Sequence, residues 1–379
     1  MCIVTVHVAY ARGDFHAVLD GELFLPERWN PNPQDAAITA KRRRAQIPDE
    51  VVREFQLFGF HVREFHLFGF HVHESKPVMA LRQLKRARAN GVPGCWVSAD
   101  EGYGGKPWWR EAVAEEGCLY VVEVPKSTQG WARAPVLKAQ EYTGKGRPSK
   151  ARPIATAMTV EALSSSTAGW RFKKWQRFHV HDTQKGPEVW EFKAGRFWEH
   201  GPNAPATAQW LLIARNVRTG EVKYFLSNAP EDTLLRTLVR VAFSRWHVER
   251  CFQDCKSELG LNHAELRNYK GLHRRLILTA INYFFLQDRL GLYKREKTQD
   301  LTVSQCADAL QVLLERRTGG LLTRRQLKQL ADRLAEDISL TQARNRSSAK
   351  SHRRRRLREL RQRGINCSEL PCCDRKIAL

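Results

Sequence analysis

The segment from Lys76 to Pro125 alternates between helix and strand patterns, and this alternation most constrains the fold. Apolar residues at helical spacing predict an amphipathic helix from Lys76 to Asn90 that ends at Gly91. A short apolar strand follows at 95–99, then a helix at about 108–116 and a second strand at 119–125. This order is typical of a sheet with parallel neighbouring strands, so the sequence predicts an α/β fold.

Strand patterns also open the chain. Ile3–Val8 and Phe15–Pro26 are rich in apolar residues and flank a turn at Ala11–Asp14, which predicts a β-hairpin. Because the hairpin begins almost at the first residue, we expect an upstream strand of the same sheet to be missing. Residues 27–50 are polar and basic and contain proline, which predicts a connection.

A short internal repeat follows this connection. The segment 52–61 recurs almost unchanged at 62–71, and two copies of so short a unit cannot stack into a core. We therefore interpret 52–71 as a tandem duplication in a surface segment. A metal site on the histidines in this segment and just after it is the less favoured alternative. These histidines are His61, His66, His71 and His73.

The remaining chain divides by pattern into a β-rich part and helical parts. Residues 127–230 are rich in tryptophan and contain a clear hairpin at Trp210–Leu226, whereas helical patterns dominate from about 232 to 260 and from Leu272 to Leu290. The sequence thus predicts four parts: 1–126, a β-rich insertion at 127–230, a helical part at 231–290, and a helical, basic region at 291–379.

Charge points to a polyanionic partner. The chain has 63 Lys and Arg against 40 Asp and Glu, a net charge of +23, with a basic run at Arg353, Arg354, Arg355 and Arg356. Nucleic acid is the usual partner of such a chain, with a membrane surface as an alternative. The run itself is either a phosphate contact or a solvated tail.

The cysteines and the apolar segments indicate an intracellular protein. Nine scattered cysteines in a chain of this length predict no disulfide framework. Neither a membrane span nor a secretory signal is recognisable. Two cysteine groups (Cys251 with Cys255, and Cys367 with Cys372 and Cys373) offer a zinc alternative, but ordinary buried thiols are favoured.

Two carboxylates stand out as candidates for chemistry. Asp100 follows a buried strand and precedes a glycine-rich turn, a position where open α/β sheets bind ligands, although an ordinary turn aspartate is an equal alternative. Arg245, Glu249 and Lys256 are spaced so that they share one helical face within roughly 40°. That stripe suits a metal ligand between phosphate-binding cations, and a solvated ion-pair face is the alternative.

Taken together, these motifs resemble the insertion-sequence transposases of the DDE superfamily. Asp100-Glu101-Gly102-Tyr103-Gly104 is similar to their second-aspartate motif, and Arg245-x3-Glu249-x6-Lys256 is similar to their third-carboxylate signature. The hairpin ending near Trp29 and the segment Tyr224–Asn228 also resemble these proteins. The likeness covers about residues 2–290 and is closest to the IS-four-like groups, in particular the IS-seven-oh-one-like branch.

The resemblance implies a ribonuclease-H-like catalytic fold with a β-rich insertion and a helical, basic C-terminal region. It implies that Asp100 and Glu249 help to bind two Mg²⁺ (or Mn²⁺) ions, with their carboxyl groups within roughly 8 Å of each other. Arg245 and Lys256 would bind DNA phosphates, and aromatic residues of the insertion would stack on bases. The partners implied are double-stranded DNA at transposon ends and a second copy of the chain, in a bacterial cytoplasm and associated with the nucleoid.

The sequence departs from the family at two points. The signature tyrosine falls on Ala242, and nothing before Ile3 can supply the first aspartate, for which Asp14 and Asp20 are poor substitutes. We therefore expect a truncated copy with an incomplete site. The alternative is a non-catalytic DNA-binding remnant that interferes with a full-length transposase, and a general RNA-binding protein is a third, less consistent hypothesis.

Overall fold

The computed structural model describes most of the chain. Within this part, no helix combines the length and the apolar character needed to cross a membrane. The described residues are 4–13, 15–26, 29, 35–47, 56–57, 60–61, 75–94, 96–138, 152–183, 185–201, 207–263, 266, 268–295, 301–317 and 323–373.

Strands and helices alternate in the first two thirds of the chain, and helices follow. The strands are β1 Val4–Arg12, β2 Phe15–Phe24, β3 Gln56–Leu57, β4 Phe60–His61, β5 Trp96–Ala99, β6 Leu119–Glu123, β7 Gln129–Trp131, β8 Leu137–Lys138, β9 Arg152–Pro153, β10 Met158–Thr159, β11 Gln176–Thr183, β12 Gly186–Glu199, β13 Gln209–Asn216 and β14 Val222–Ser227. The helices are α1 Ala36–Arg44, α2 Lys76–Ala89, α3 Glu101–Gly104, α4 Pro107–Glu115, α5 Val160–Leu163, α6 Leu235–Phe243, α7 Trp246–Ser257, α8 Tyr269–Arg295, α9 Val303–Arg317 and α10 Arg324–Gln362.

The chain divides into two compact units, each built from separated segments. We call Met1–Pro93 with Trp246–Gln342 the hairpin unit, to which Leu379 is also assigned. We call Gly94–Arg245 with Ala343–Ala378 the sheet unit.

A mixed sheet of eight strands organises the sheet unit. Seven strands follow the order β10-β7-β12-β13-β14-β6-β5, and β11 pairs with β12. β5 and β6 are parallel, with Ser98 opposite Val121, whereas β14 runs antiparallel to β6. The parallel arrangement predicted for the strands at 95–99 and 119–125 is confirmed, and the mixed sheet fits an α/β fold.

Both faces of this sheet are buried, because successive side chains of a strand point to opposite sides. On β13, Leu212 and Ala214 join one apolar cluster, while Leu211 and Ile213 join another. Helix α6 supplies four buried residues to the first cluster. The second cluster contains residues of α5 and Trp170. The sheet is therefore a packed layer with helical or loop structure on either face.

In the hairpin unit, α2 is fastened to the antiparallel β1–β2 hairpin by ion pairs. Arg82 binds Glu22 through two hydrogen bonds of 2.8 and 2.7 Å, and Arg86 binds both Asp20 and Glu22. Buried Gln83 donates to the carbonyl of Val6 at 3.0 Å. Asp20 is therefore committed to a structural ion pair, which agrees with its exclusion as a substitute for a metal ligand.

Most predicted elements are confirmed, with two differences. The helix predicted at 76–90 is α2, which begins after Ser75 and is followed by Gly91 at φ +73°. The stretch 27–50, predicted as a connection, contains the helix α1, whose N-terminus is capped by the Asp35 side chain. The helical stretch at 232–260 is broken into α6 and α7. Most of the duplication at 52–71 and the side chains of its histidines lie outside the described residues.

We predict that removing a buried aromatic ring of the sheet lowers stability much more than removing an exposed one. Phe192 on β12 is fully buried, whereas Phe172 is 81% exposed. Phe192→Ala should lower the free energy of unfolding by roughly 3–5 kcal/mol, and Phe172→Ala should change it by less than about 0.5 kcal/mol. Urea denaturation of both variants measures the difference. Equal losses would contradict the assignment of Phe192 to the core.

Candidate active site

Asp100 lies where the sheet predicts a ligand-binding residue. It directly follows β5, a strand parallel to its neighbour β6, and it is the N-cap of the short helix α3. Its Oδ1 accepts a hydrogen bond of 3.0 Å from the backbone N–H of Gly102. The carboxylate is thereby oriented by its own turn. A capping aspartate also satisfies the structural alternative, so position alone does not assign chemistry.

The glycine-rich turn after Asp100 is explained by close packing. A Cβ at Gly104 would lie 2.1 Å from the carbonyl oxygen of Glu123, and one at Gly105 would lie 2.7 Å from that of Glu101. Buried Arg110 donates to the carbonyl of Gly104 and forms an ion pair with Glu199. The turn is therefore held rigidly against the end of β6.

Tyr103 borders the same turn. Burial raises the pKa of Tyr103, and the negative charge of Asp100 raises it further. Its hydroxyl therefore stays protonated and uncharged at neutral pH.

Helix α7 carries the second candidate carboxylate on its exposed side. Glu249 and Lys256 are both exposed, and a spacing of seven residues places them within roughly 20° of each other around the helix. The sequence predicted that Arg245 lies on this helix, but the structure places it in the turn before α7. Phe243, the last residue of α6, packs against the sheet aromatics Trp190, Phe192 and Phe225.

The buried side of α7 contains a carboxylate that sequence reasoning missed. Asp254 is 3% exposed and accepts hydrogen bonds from Arg250 and from the hydroxyl of Tyr283, at 3.3 and 3.2 Å. Burial raises the pKa of Asp254, and the Arg250 cation opposes that rise. The four-residue spacing of Arg250 and Asp254 was a sequence signal for this pair. Asp254 fastens α7 to α8.

The cysteines of α7 behave as core residues. Cys251 and Cys255 are at most 2% exposed, and burial raises the pKa of each thiol to about 12. They are therefore protonated at neutral pH, which disfavours metal binding. Burial also raises the pKa of Cys367. Among the described residues, no three His, Cys, Asp or Glu side chains are grouped so that they could hold a metal ion.

The four arginines of the basic run have different environments. Arg356 is buried and binds Glu188 at 2.9 Å, and Arg353 binds Asp182 at 2.7 Å. Arg354 and Arg355 are exposed. The run is thus divided between internal ion pairs and cations that face solvent.

The tryptophans of the β-rich region are mainly structural. Trp131, Trp170 and Trp190 are at most 7% exposed, so their faces are not accessible to a base. Phe172 is exposed instead, and the guanidinium of Arg171 lies 5.8 Å from its ring centroid. The sequence pattern identified an aromatic region but not which ring faces solvent.

Part of the chain matches a known protein family. Residues 1–57 and 70–187 match the family model described as DDE superfamily endonuclease. The matched segments cover a little under half of the chain and contain Asp100 with its whole turn, whereas Glu249 lies beyond them. Residues 58–69, which lie between the two matched segments, belong to the duplicated segment, as expected if one copy is an insertion relative to the family. No curated protein matches the chain.

This match supports a DDE-type nuclease or transposase function with DNA as substrate. It also supports the use of divalent metal ions, which this superfamily generally requires. Asp100 belongs to the sheet unit and Glu249 to the hairpin unit. The roles of both residues remain predictions.

We predict that acid destabilises the hairpin unit through His7. Its ring packs edge-on against Phe252 of α7, with the ring centroids 4.7 Å apart, and burial lowers its pKa from 6.5 to about 4. The unfolded chain therefore takes up a proton near pH 6.5 that the folded chain takes up only near pH 4. Stability should fall as the pH drops through this window, by up to roughly 3 kcal/mol.

Unfolding by urea between pH 7 and pH 4 measures this dependence. The variant His7→Gln should lose that part of the slope, while His263→Gln, at an exposed histidine, should keep it. An unchanged slope in His7→Gln would show that another group causes the acid sensitivity.

Proposed function

We propose that the chain is a transposase of an insertion sequence that cleaves and transfers DNA strands at transposon ends. The observation that carries this proposal is Asp100, oriented by its own turn at the carboxyl end of a parallel strand, inside the segment that matches the DDE superfamily. Parallel strands of open α/β sheets commonly place catalytic side chains at this end. The net charge of +23 suits a DNA substrate.

Asp100 and Glu249 are the proposed metal ligands. Carboxylate oxygens are the ligands that Mg²⁺ prefers, and Oδ2 of Asp100 accepts no hydrogen bond within the described part of the chain. Asp100 therefore fits a metal-binding role. When bound, two divalent ions supply charge stabilisation for in-line phosphoryl transfer. The protein itself contributes the orientation of Asp100 through α3 and a rigid seat for the turn through Arg110.

Cations near Glu249 are proposed to bind the DNA backbone. Lys256 projects from the same side of α7 as Glu249, and Arg245 precedes the helix by one residue. Both would bind phosphate oxygens next to the scissile bond, where a fixed positive charge orients the substrate. The proposal is that α7 combines metal binding and substrate binding on one side.

Phe172 is the proposed stacking residue of the β-rich insertion. Its ring is 81% exposed, and the guanidinium of Arg171 lies 5.8 Å from the ring centroid. An exposed ring beside cations can stack on an unpaired base while the cations bind its phosphates. The stacking role is thus proposed for Phe172 rather than for the buried tryptophans of the region.

The remaining details stay predictions. They are the ribonuclease-H-like details of the fold, the IS-seven-oh-one-like branch, the homodimer, the nucleoid location, and the part boundaries at 126/127, 230/231 and 290/291.

We predict Mg²⁺- or Mn²⁺-dependent nicking of supercoiled plasmid that requires both carboxylates. Nicking is measured for the 379-residue chain and for a version extended upstream by an Asp-bearing strand, because the family site uses three carboxylates. In the extended version, Asp100→Asn and Glu249→Gln should each abolish nicking. Glu258→Gln, at another exposed carboxylate, is the matched control.

Two outcomes would contradict this account. Nicking by the extended Glu249→Gln protein would remove Glu249 from the site. Tight DNA binding without any metal-dependent nicking would instead favour the non-catalytic remnant.

We also predict that Phe172→Ala weakens binding to DNA with an unpaired base more than binding to a full duplex. Loss of one stacked base should cost roughly 1–3 kcal/mol on the unpaired substrate. Fluorescence anisotropy on both substrates measures the difference. Phe172→Trp should retain the preference, and equal losses on both substrates would exclude stacking by this ring.

A further inference from the structure

The C-terminal half of α10 is fixed to the sheet unit along one side. Arg353 binds Asp182 and Arg356 binds Glu188, while Arg356 also donates to the carbonyl of Pro187 at 3.4 Å. One turn further on, Leu360 is 2% exposed and packs in a cluster with Val189 and Ile365. This side of the helix is therefore used for folding.

The contact between α10 and the turn that begins β12 is close. A Cβ at Gly186 would lie 2.9 Å from the Cβ of Arg356 and 3.1 Å from the Cα of Arg353, and Gly186 has φ +101°. Both the space and the backbone angle require glycine there. The rotation of α10 about its own axis is thereby fixed within the sheet unit.

The opposite side of the same helix carries a row of cations. Lys350, Arg354, Arg358 and Arg361 are all exposed, and their spacing of four, four and three residues keeps them within roughly 80° of one another. At about 1.5 Å per residue the row is roughly 16 Å long. We call these four residues the cation row.

Several features make the cation row more than a solvated face. No Asp or Glu occurs between Ile338 and Arg358. Glu359, the one carboxylate within the span of the row, forms ion pairs with Arg356 and Arg363. Of the two leucines within the span of the row, Leu360 is buried and Leu357 is half-buried, so the exposed side offers no apolar stripe for insertion into a lipid surface. Three further arginines are bound to protein acceptors. They are Arg353, Arg356 and Arg363.

We propose that the cation row binds the phosphate backbone of duplex DNA. Duplex DNA carries one charge per roughly 1.7 Å of its axis, so a row of this length faces several phosphates, and each contact releases condensed counterions. Arginine also binds phosphate with two parallel hydrogen bonds. The choice of DNA over another polyanion rests on the proposed function, but the cation row includes neither Asp100 nor Glu249.

The test compares two matched double variants. Arg354→Gln with Arg358→Gln removes two cations from the row, and Arg43→Gln with Arg44→Gln removes two exposed cations from α1. Affinity for a duplex is measured by anisotropy over a range of salt concentrations, in EDTA so that no cleavage occurs. In the row variant, the slope of log affinity against log salt concentration should become shallower by roughly 1.8. In the α1 variant, this slope should not change.

Point variants are needed because deleting 341–379 would also remove buried Leu360 and Ile365 from the sheet unit. Circular dichroism should show unchanged helix content and melting in the row variant. By contrast, Arg356→Gln should lower the melting temperature, since it breaks a buried ion pair with Glu188.

Three outcomes would overturn the proposal. The first is an unchanged salt slope in the row variant. The second is an equal loss of slope in both double variants. The third is a row variant that loses binding to phosphatidylserine vesicles but not to DNA. If the slope falls as expected but the extended chain never nicks DNA, the cation row stands and the proposed catalytic function fails.

Discussion

The parallel pairing of β5 with β6 is the constraint on which the candidate site depends. It aligns the carboxyl ends of two strands and places Asp100 at the first residue beyond one of them. The glycines after Asp100 then allow the turn to pack against Glu123 and Pro125 at the end of β6. Because β6 is also paired with β14, this end of the sheet is supported from the other side. A longer residue in the turn would displace the carboxylate.

The arginines of this protein fall into two groups according to whether their side chains bind other residues of the protein or face solvent. Some arginines form ion pairs within the protein, as Arg110 does with Glu199 and Arg356 with Glu188. Others face solvent along regular helix surfaces, as Arg354 and Arg358 do. A guanidinium whose donors are already bound has little left to offer a phosphate. Net charge therefore overstates how many cations can bind DNA at once.

Local patterns gave much of the fold and part of the site. The β1–β2 hairpin, α2 and the β13–β14 hairpin were predictable because alternating apolar residues and turn glycines such as Gly220 act over a few residues. The position of Asp100 at the end of a strand was predictable by the same means, since the strand and the turn are contiguous in sequence.

What escaped sequence reasoning depends on contacts between distant segments. Helix α1 has almost no apolar face, and its Arg42 is buried through a hydrogen bond to the carbonyl of Trp29. Arg245 lies outside α7, in the turn that follows Phe243 at the end of α6. The buried tryptophans and the exposed Phe172 differ in packing, not in local pattern. Such differences are decided by tertiary structure.

The measurement that tests the central claim most directly is a crystal structure of the protein with Mn²⁺, analysed by anomalous scattering. The account predicts manganese coordinated by carboxylate oxygens of both Asp100 and Glu249, with the two carboxyl groups within about 8 Å of each other. Manganese bound elsewhere, or the two carboxyl groups on opposite sides of the protein, would contradict it.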